Sequence, residues 1–199
     1  YMLLSATLAF SAVTAFVSIG MNMPPMTYLI ALIASMVLGM FVLPRTANSG
    51  AGIGVVFLIT GLMGFGLGSV LSMYLALPKG PEVIATAFGG TGIIFLGLSG
   101  YALTSKRDFS FMGGFIFAGM MVLVVAMLAN IFFALPALSL AISAGVILVM
   151  SGFILFDTSR IINGGETNYI MATYGLYLSI FNIFISLLNL LMAFGGSDD

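Results

Sequence analysis

Seven apolar runs, most of them about twenty residues long, constrain this sequence more than any other feature. A helix of about 20 apolar residues crosses a bilayer whose hydrocarbon core is about 30 Å thick. The runs occupy residues 1–20, 26–43, 51–77, 83–104, 110–134, 137–157 and 168–194. The sequence therefore predicts an all-α integral membrane protein in which residues 1–199 form a single seven-helix transmembrane domain.

Composition supports this prediction and excludes several classes of protein. Hydrophobic residues make up 61% of the chain and charged residues 6%, whereas about a quarter of a soluble domain is charged. A net charge of −1 gives nucleic acid no basic surface, so we expect the lipid bilayer as surroundings and no nucleic-acid partner. Because the chain has no Cys and no His, we expect no enzyme, no catalytic residue and no resident metal or cofactor.

The few positive charges predict an orientation. Arg45, Lys106 with Arg107, and Arg160 lie in the second, fourth and sixth loops, while the other side has only Lys79. Cytoplasmic loops carry an excess of Lys and Arg, which predicts a cytoplasmic N-terminus and a periplasmic C-terminus. Because the first residue is not Met, we expect a cytoplasmic tail to precede it.

Rows of small residues recur within the spans. They are Thr60, Gly64 and Gly68 in the third span, Gly89, Gly90, Gly92 and Gly97 in the fourth, and Ser110, Gly114 and Ala118 in the fifth. Small residues let helices approach closely in lipid. The glycines superficially resemble nucleotide-binding loops, but a preceding strand, a following acid and a Lys are lacking. Helix packing is the favoured interpretation.

The last span has a polar stripe, defined by Ser179, Asn182, Ser186 and Asn189. At 100° per residue these side chains share one face, and bulky residues such as Tyr177 lie opposite. Polar side chains within a bilayer face protein or water, so we expect the stripe to point inward. Two interpretations stay open, namely hydrogen bonds between helices and the lining of a pore.

Asp157 is the one acid near membrane depth, at the cytoplasmic end of the sixth span. A carboxylate near the C-terminal end of a helix is disfavoured by the helix dipole and needs a cation or a proton. Arg160 is the local candidate, and Arg45 lies on the same side of the membrane. The sequence is consistent either with a structural salt bridge or with a latch that responds to protons.

Several motifs together resemble one family. They are Leu103–Phe111 (LTSKRDFSF), Ala129–Phe132 (ANIF), Leu135–Leu138 (LPAL), Phe156–Ile162 (FDTSRII), Gly165–Ile170 (GETNYI) and Leu176–Phe184 (LYLSIFNIF). The chain is identified as a member of the Bax inhibitor-1 family, and it is similar to the bacterial YccA-type branch of inner-membrane proteins. The resemblance covers nearly the whole chain and implies six helices around a central seventh.

The resemblance also implies two candidate functions. Calcium-leak members of the family carry a proton-sharing aspartate pair that contacts an arginine of the second helix. Asp157 matches the first aspartate, Ser179 stands in place of the second, Arg45 is near the arginine position, and Glu166 is a candidate second acid. Members of the YccA-type branch associate with the membrane-anchored ATP-dependent protease FtsH and modulate it. The resemblance thus implies a modulator of FtsH in membrane-protein quality control, with a calcium or other cation leak gated at Asp157 as the alternative.

Overall fold

The computed structural model describes residues 1–105 and 107–195, which form helices and connecting loops without a strand. The helices are α1 (Met2–Gly20), α2 (Met26–Val37), α3 (Leu43–Thr46), α4 (Gly50–Leu75), α5 (Gly80–Ser105), α6 (Met112–Phe133), α7 (Pro136–Ile162) and α8 (Tyr169–Gly195). In this described part of the chain, seven helical stretches are long and apolar enough to cross a membrane. The predicted all-α, seven-span fold is confirmed.

The second span, Met26–Thr46, changes its geometry between α2 and α3. Residues Leu38–Val42 form a π-helical turn just before Pro44. Proline has no N–H to donate to the preceding turn and its ring crowds that turn, which the wider π geometry relieves. A Cβ at Gly39, inside the π turn, would lie 2.1 Å from the hydroxyl oxygen of Tyr174, so a larger residue there would have to displace the end of the Tyr174 side chain.

The end of α7 lies beyond Asp157. The helix continues to Ile162, and Gly164 then adopts a left-handed conformation with φ of 75°. The backbone N–H groups of Gly165 and Glu166 both donate to the carbonyl of Arg160, at 2.8 and 3.1 Å. A glycine in this conformation is a common helix stop, since it carries no Cβ to clash.

The described residues divide into two compact units, and α8 contributes to both. The first unit contains residues 1–81 and 168–177, and the second contains residues 82–167 and those from 178 onward.

In the first unit, α1 packs closely against α4 through the predicted row of small residues. A Cβ at Gly64 would lie 2.1 Å from the carbonyl oxygen of Ser11, and one at Gly68 would lie 2.3 Å from that of Ala15. Residue numbers rise together along the two helices, so α1 and α4 run parallel. The interpretation of these α4 glycines as packing residues is confirmed.

In the second unit, α6 and α7 enclose an apolar cluster formed by Ile116, Leu123, Val146 and Val149. Two glycines make this approach close: a Cβ at Gly119 would lie 2.8 Å from Val149, and one at Gly145 would lie 2.9 Å from Leu123.

The small-residue row predicted for the fifth span is not the packed face of α6. Ser110, Gly114 and Ala118 are all exposed, and a Cβ at Gly114 would meet nothing within 4 Å. The reason is that α6 turns its Ile116 and Leu123 face toward α7, and this row lies on another face.

Most glycines of α5 also differ from the prediction of close packing. A Cβ at Gly89, Gly92 or Gly97 would meet nothing within 4 Å, whereas one at Gly90 would lie 3.3 Å from Leu187 of α8. Only Gly90 among these four therefore lies against a neighbouring helix.

Candidate functional site

The last two turns of α7 hold several polar contacts in the second unit. Thr158 and Ser159 are fully buried, and Asp157 and Arg160 are half-buried. The hydroxyl groups of Thr158 and of Ser99 on α5 are 3.4 Å apart, which joins α7 to α5 within the apolar interior. The segment 157–160 therefore anchors α7 as well as carrying the predicted acid.

Ser159 holds the loop between α5 and α6. Its hydroxyl oxygen accepts a hydrogen bond from the backbone N–H of Phe109 at 2.9 Å and donates to the carbonyl of Arg107 at 3.2 Å. The side-chain amide of Asn163 donates to the same oxygen at 3.2 Å. Buried backbone groups need partners, and this one hydroxyl satisfies two of them from a different part of the chain.

Within that loop, Asp108 forms a local turn. Its carboxylate accepts hydrogen bonds from the backbone N–H of Ser110, at 2.8 Å, and from the Ser110 hydroxyl. These bonds favour the charged form and hold the pKa of Asp108 below its ordinary value. The carboxylate stabilises the turn that leads into α6 and is fully exposed.

Arg160 holds the loop between α7 and α8. Its guanidinium lies 3.7 Å from the carboxylate of Glu166, donates to the carbonyl of Gly165 at 3.1 Å, and stacks over the ring of Phe156 at 5.5 Å. Both partners in the ion pair are partly exposed, so the pair contributes little to stability. The ion pair that the structure shows for Arg160 is thus with Glu166.

The other predicted site residues are spread over the two units. Arg45 lies on α3 in the first unit, is exposed, and donates to the carbonyl of Phe41 one turn earlier. Asp157 and Ser179 belong to the second unit, on α7 and α8. Ser179 is buried, with 2% of its surface exposed. The role of Asp157 as a proton sensor or latch stays a prediction.

The polar stripe of α8 is only partly buried. Ser179 and Ser186 are buried, Asn182 is half-buried, and Asn189 is exposed. The amide of Asn182 donates to the carbonyl of Leu178 on its own helix, at 2.8 Å, so this contact does not link helices.

The polar stripe alone predicts that only one face of α8 points toward the protein interior, but the opposite, bulky face is buried too. The buried side chains of this bulky face are Ile170, Tyr177, Phe181, Phe184 and Leu188. Burial on both faces is the pattern of a helix within a protein interior.

Tyr177 was missed as a polar residue, since helical periodicity places it on the bulky face. Its side chain is 1% exposed and its hydroxyl group lies 2.7 Å from that of Ser11 on α1. The same hydroxyl donates to the carbonyl of Thr60 on α4 at 3.3 Å. The sequence feature that could have identified this contact is a tyrosine within an apolar span, because a buried tyrosine hydroxyl needs a hydrogen-bond partner.

Asn168 connects the start of α8 to the loop before α4. Its carboxamide oxygen accepts from the backbone N–H groups of Ile170 and Met171, at 3.0 and 3.1 Å, which satisfies the first turn of α8. Its amide donates to the carbonyl of Ala47 and to the side chain of Asn48, at 3.0 and 2.9 Å.

These features define a seven-span helical membrane protein with polar contacts at several helix ends and at the buried hydroxyl group of Tyr177. The chain matches the family described as "Inhibitor of apoptosis-promoting Bax1" over residues 1–196. It belongs to the Bax inhibitor-1 family, as its motifs indicate.

Curated relatives extend over almost the whole chain. An uncharacterized membrane protein of Vibrio cholerae is 50% identical over 198 residues, which cover 100% of this chain and 89% of that protein. The Escherichia coli (strain K12) protein "Modulator of FtsH protease YccA" is 51% identical over 191 residues, which cover 96% and 86%. A second Escherichia coli relative with the same identity and coverage is named "Inner membrane protein YccA".

Acidic groups in the described residues do not form a metal site of the usual kind. No group of three or more His, Cys, Asp or Glu residues is placed to hold a metal ion within residues 1–105 and 107–195. Hard cations such as calcium prefer six to eight oxygen ligands, often including carboxylates.

Proposed function

We propose that this protein binds the membrane-anchored protease FtsH and modulates it in membrane-protein quality control. The observation that carries the proposal is the 51% identity, over 191 residues, to a protein named as a modulator of that protease. The match covers 96% of the chain and therefore includes spans and loops alike.

A role through protein interaction, and no catalysis, is part of the proposal. The sequence supports it, since without His and Cys the chain has no imidazole base and no thiolate nucleophile. Residence in the bacterial inner membrane is supported by the relative that carries this location in its name and by the seven apolar helices. A cytoplasmic N-terminus and a periplasmic C-terminus follow from the loop charges.

The test is co-purification together with the turnover of a second substrate. We expect the tagged full-length protein to retain FtsH from detergent-solubilised inner membranes, because a modulator must contact the enzyme it modulates. We also expect its overproduction to lengthen the half-life of another membrane protein that FtsH degrades. An unrelated seven-span protein produced at the same level is the control for crowding of the membrane. Absence of both effects would exclude the proposal.

A pH-sensitive cation leak, with Asp157 as the proton sensor and calcium as the transported ion, is our second proposal. Its support is the half-buried position of Asp157 near the end of α7, with Arg160 in an ion pair with Glu166. A carboxylate at membrane depth is costly, and such residues are often functional.

For the leak, the measurement is calcium flux from liposomes that contain the full-length protein. We expect the flux to differ several-fold between about pH 6 and about pH 8, since binding of a proton removes the negative charge of the sensor. Asp157→Asn is expected to abolish the difference. Asp108→Asn removes an exposed carboxylate outside the spans and is the matched control. Identical pH profiles for the wild type and Asp157→Asn would rule out Asp157 as the sensor.

A further inference from the structure

One buried hydroxyl group joins the first and the last described helices of this chain. The Tyr177 hydroxyl on α8 donates to the carbonyl of Thr60 on α4, at 3.3 Å, and lies 2.7 Å from the hydroxyl of Ser11 on α1. Because a phenol has one proton to donate, the Ser11 hydroxyl is the donor in the second bond. We call these three residues the hydroxyl node.

The hydroxyl node is buried within the protein. Tyr177 is 1% exposed, Thr60 is fully buried, and Ser11 is 7% exposed. Beside the node, Gly64 and Gly68 bring α4 against the backbone of α1 without an intervening side chain. No solvent replaces these hydrogen bonds at the moment they break, which makes their loss more costly than at a protein surface.

The node is placed so that a force applied at either end of the chain acts on it. A pull on the N-terminal side draws on α1, and a pull on the C-terminal side draws on α8. Since α1 and α4 run parallel and interlock over successive turns, sliding α1 along its axis disturbs all of these contacts at once. Contacts broken together resist force better than contacts broken one by one.

We propose that the hydroxyl node is a mechanical clamp, which resists withdrawal of the chain from the bilayer by an ATP-driven protease that pulls from the cytoplasmic, N-terminal side. The inference rests on the proposed function and gives a physical reason why the protein would modulate the protease. A protein that engages such an enzyme and is extracted slowly occupies it, which delays the degradation of other substrates.

The first experiment measures the clamp without the protease. The full-length protein in a bilayer is unfolded under constant force applied at each terminus in turn. Tyr177→Phe removes the hydroxyl and keeps the ring, and we expect it to unfold about tenfold faster than the wild type from both ends. Tyr169→Phe, which removes an exposed hydroxyl from the same helix, is expected to unfold at the wild-type rate. Equal unfolding rates for Tyr177→Phe and the wild type would overturn the clamp.

The second experiment adds reconstituted FtsH, ATP and a second membrane substrate. We expect Tyr177→Phe to be degraded several-fold faster than the wild type and Tyr169→Phe, and to protect the second substrate less. If the wild type protects the second substrate but Tyr177→Phe is degraded no faster, the clamp inference fails and the proposed function stands. If the wild type gives no protection, the proposed function fails, and the force measurement still decides whether the node is a clamp.

Discussion

A chain carrying Gly64→Val is expected to be destabilised by about 3 kcal/mol or more in a bilayer. A Cβ at residue 64 would lie 2.1 Å from the carbonyl oxygen of Ser11 and 2.5 Å from the hydroxyl oxygen of Thr14. Backbone of α1 occupies that space, so relief requires α1 to move away from α4 as a whole. Overpacking of a close-packed interior costs about 1–3 kcal/mol, and a rigid backbone neighbour places this change at or above the upper end.

The measurement is the free energy of unfolding of the reconstituted protein, with Gly54→Val as the matched control. Gly54 lies on the same helix, is exposed, and has no atom within 4 Å of an added Cβ. Both substitutions carry the same change in helix propensity, so the difference between them isolates the clash with α1. Equal losses of stability in the two variants would contradict the packing of α1 on α4.

The span count and the α4 packing could be predicted because each depends on a local property of the chain. A run of about 20 apolar residues has one stable arrangement in lipid, since backbone polar groups must be satisfied within the segment. The row Thr60, Gly64 and Gly68 recurs every four residues, so it necessarily lies along one face of a helix. α4 packs against another helix along this row, and this part of the prediction succeeded.

The row of small residues in the fifth span shows where such reasoning fails. Ser110, Gly114 and Ala118 also lie along one face, yet α6 packs through the face that carries Ile116, Gly119 and Leu123. Periodicity identifies which residues share a face but not which face meets a neighbour. In lipid the preference for packing one face rather than another is especially weak, because acyl chains solvate an apolar face as favourably as a neighbouring helix does.

At the candidate site, single residues were easier to predict than their partners. Asp157 is distinctive because a charge near membrane depth is rare, and the structure places it half-buried near the end of α7. The ion pair between Arg160 and Glu166 depends on the conformation of the loop that follows, which Gly164 shapes with its positive φ. Tyr177 was missed because a hydrophobicity pattern weighs its ring and ignores its hydroxyl.

Ser159→Ala is expected to destabilise the protein by about 2 kcal/mol, the second-largest effect that we expect. The substitution leaves the backbone N–H of Phe109 without its acceptor in a site where Ser159 is fully buried and Phe109 is 9% exposed. An unsatisfied buried donor costs about 1–3 kcal/mol, and the carbonyl of Arg107 loses a donor at the same time. The loop between α5 and α6 is therefore expected to loosen first.

Two readouts check this expectation, the free energy of unfolding and hydrogen exchange at the Phe109 amide. Ser151→Ala, a change at a partly buried serine about two turns earlier on α7, is the matched control and is expected to alter neither. Faster exchange at Phe109 with little change at the Ala134 amide, which bonds within α6, would place the effect in the loop that Ser159 holds. Unchanged exchange at Phe109 would show that the bond from its N–H to Ser159 does not hold the loop. Ser159 follows Asp157 by two residues, so comparing their variants separates the two roles of this segment. If the segment anchors α7, Ser159→Ala lowers stability although Asp157 is intact. If Asp157 is a proton sensor, only Asp157→Asn changes the response to pH.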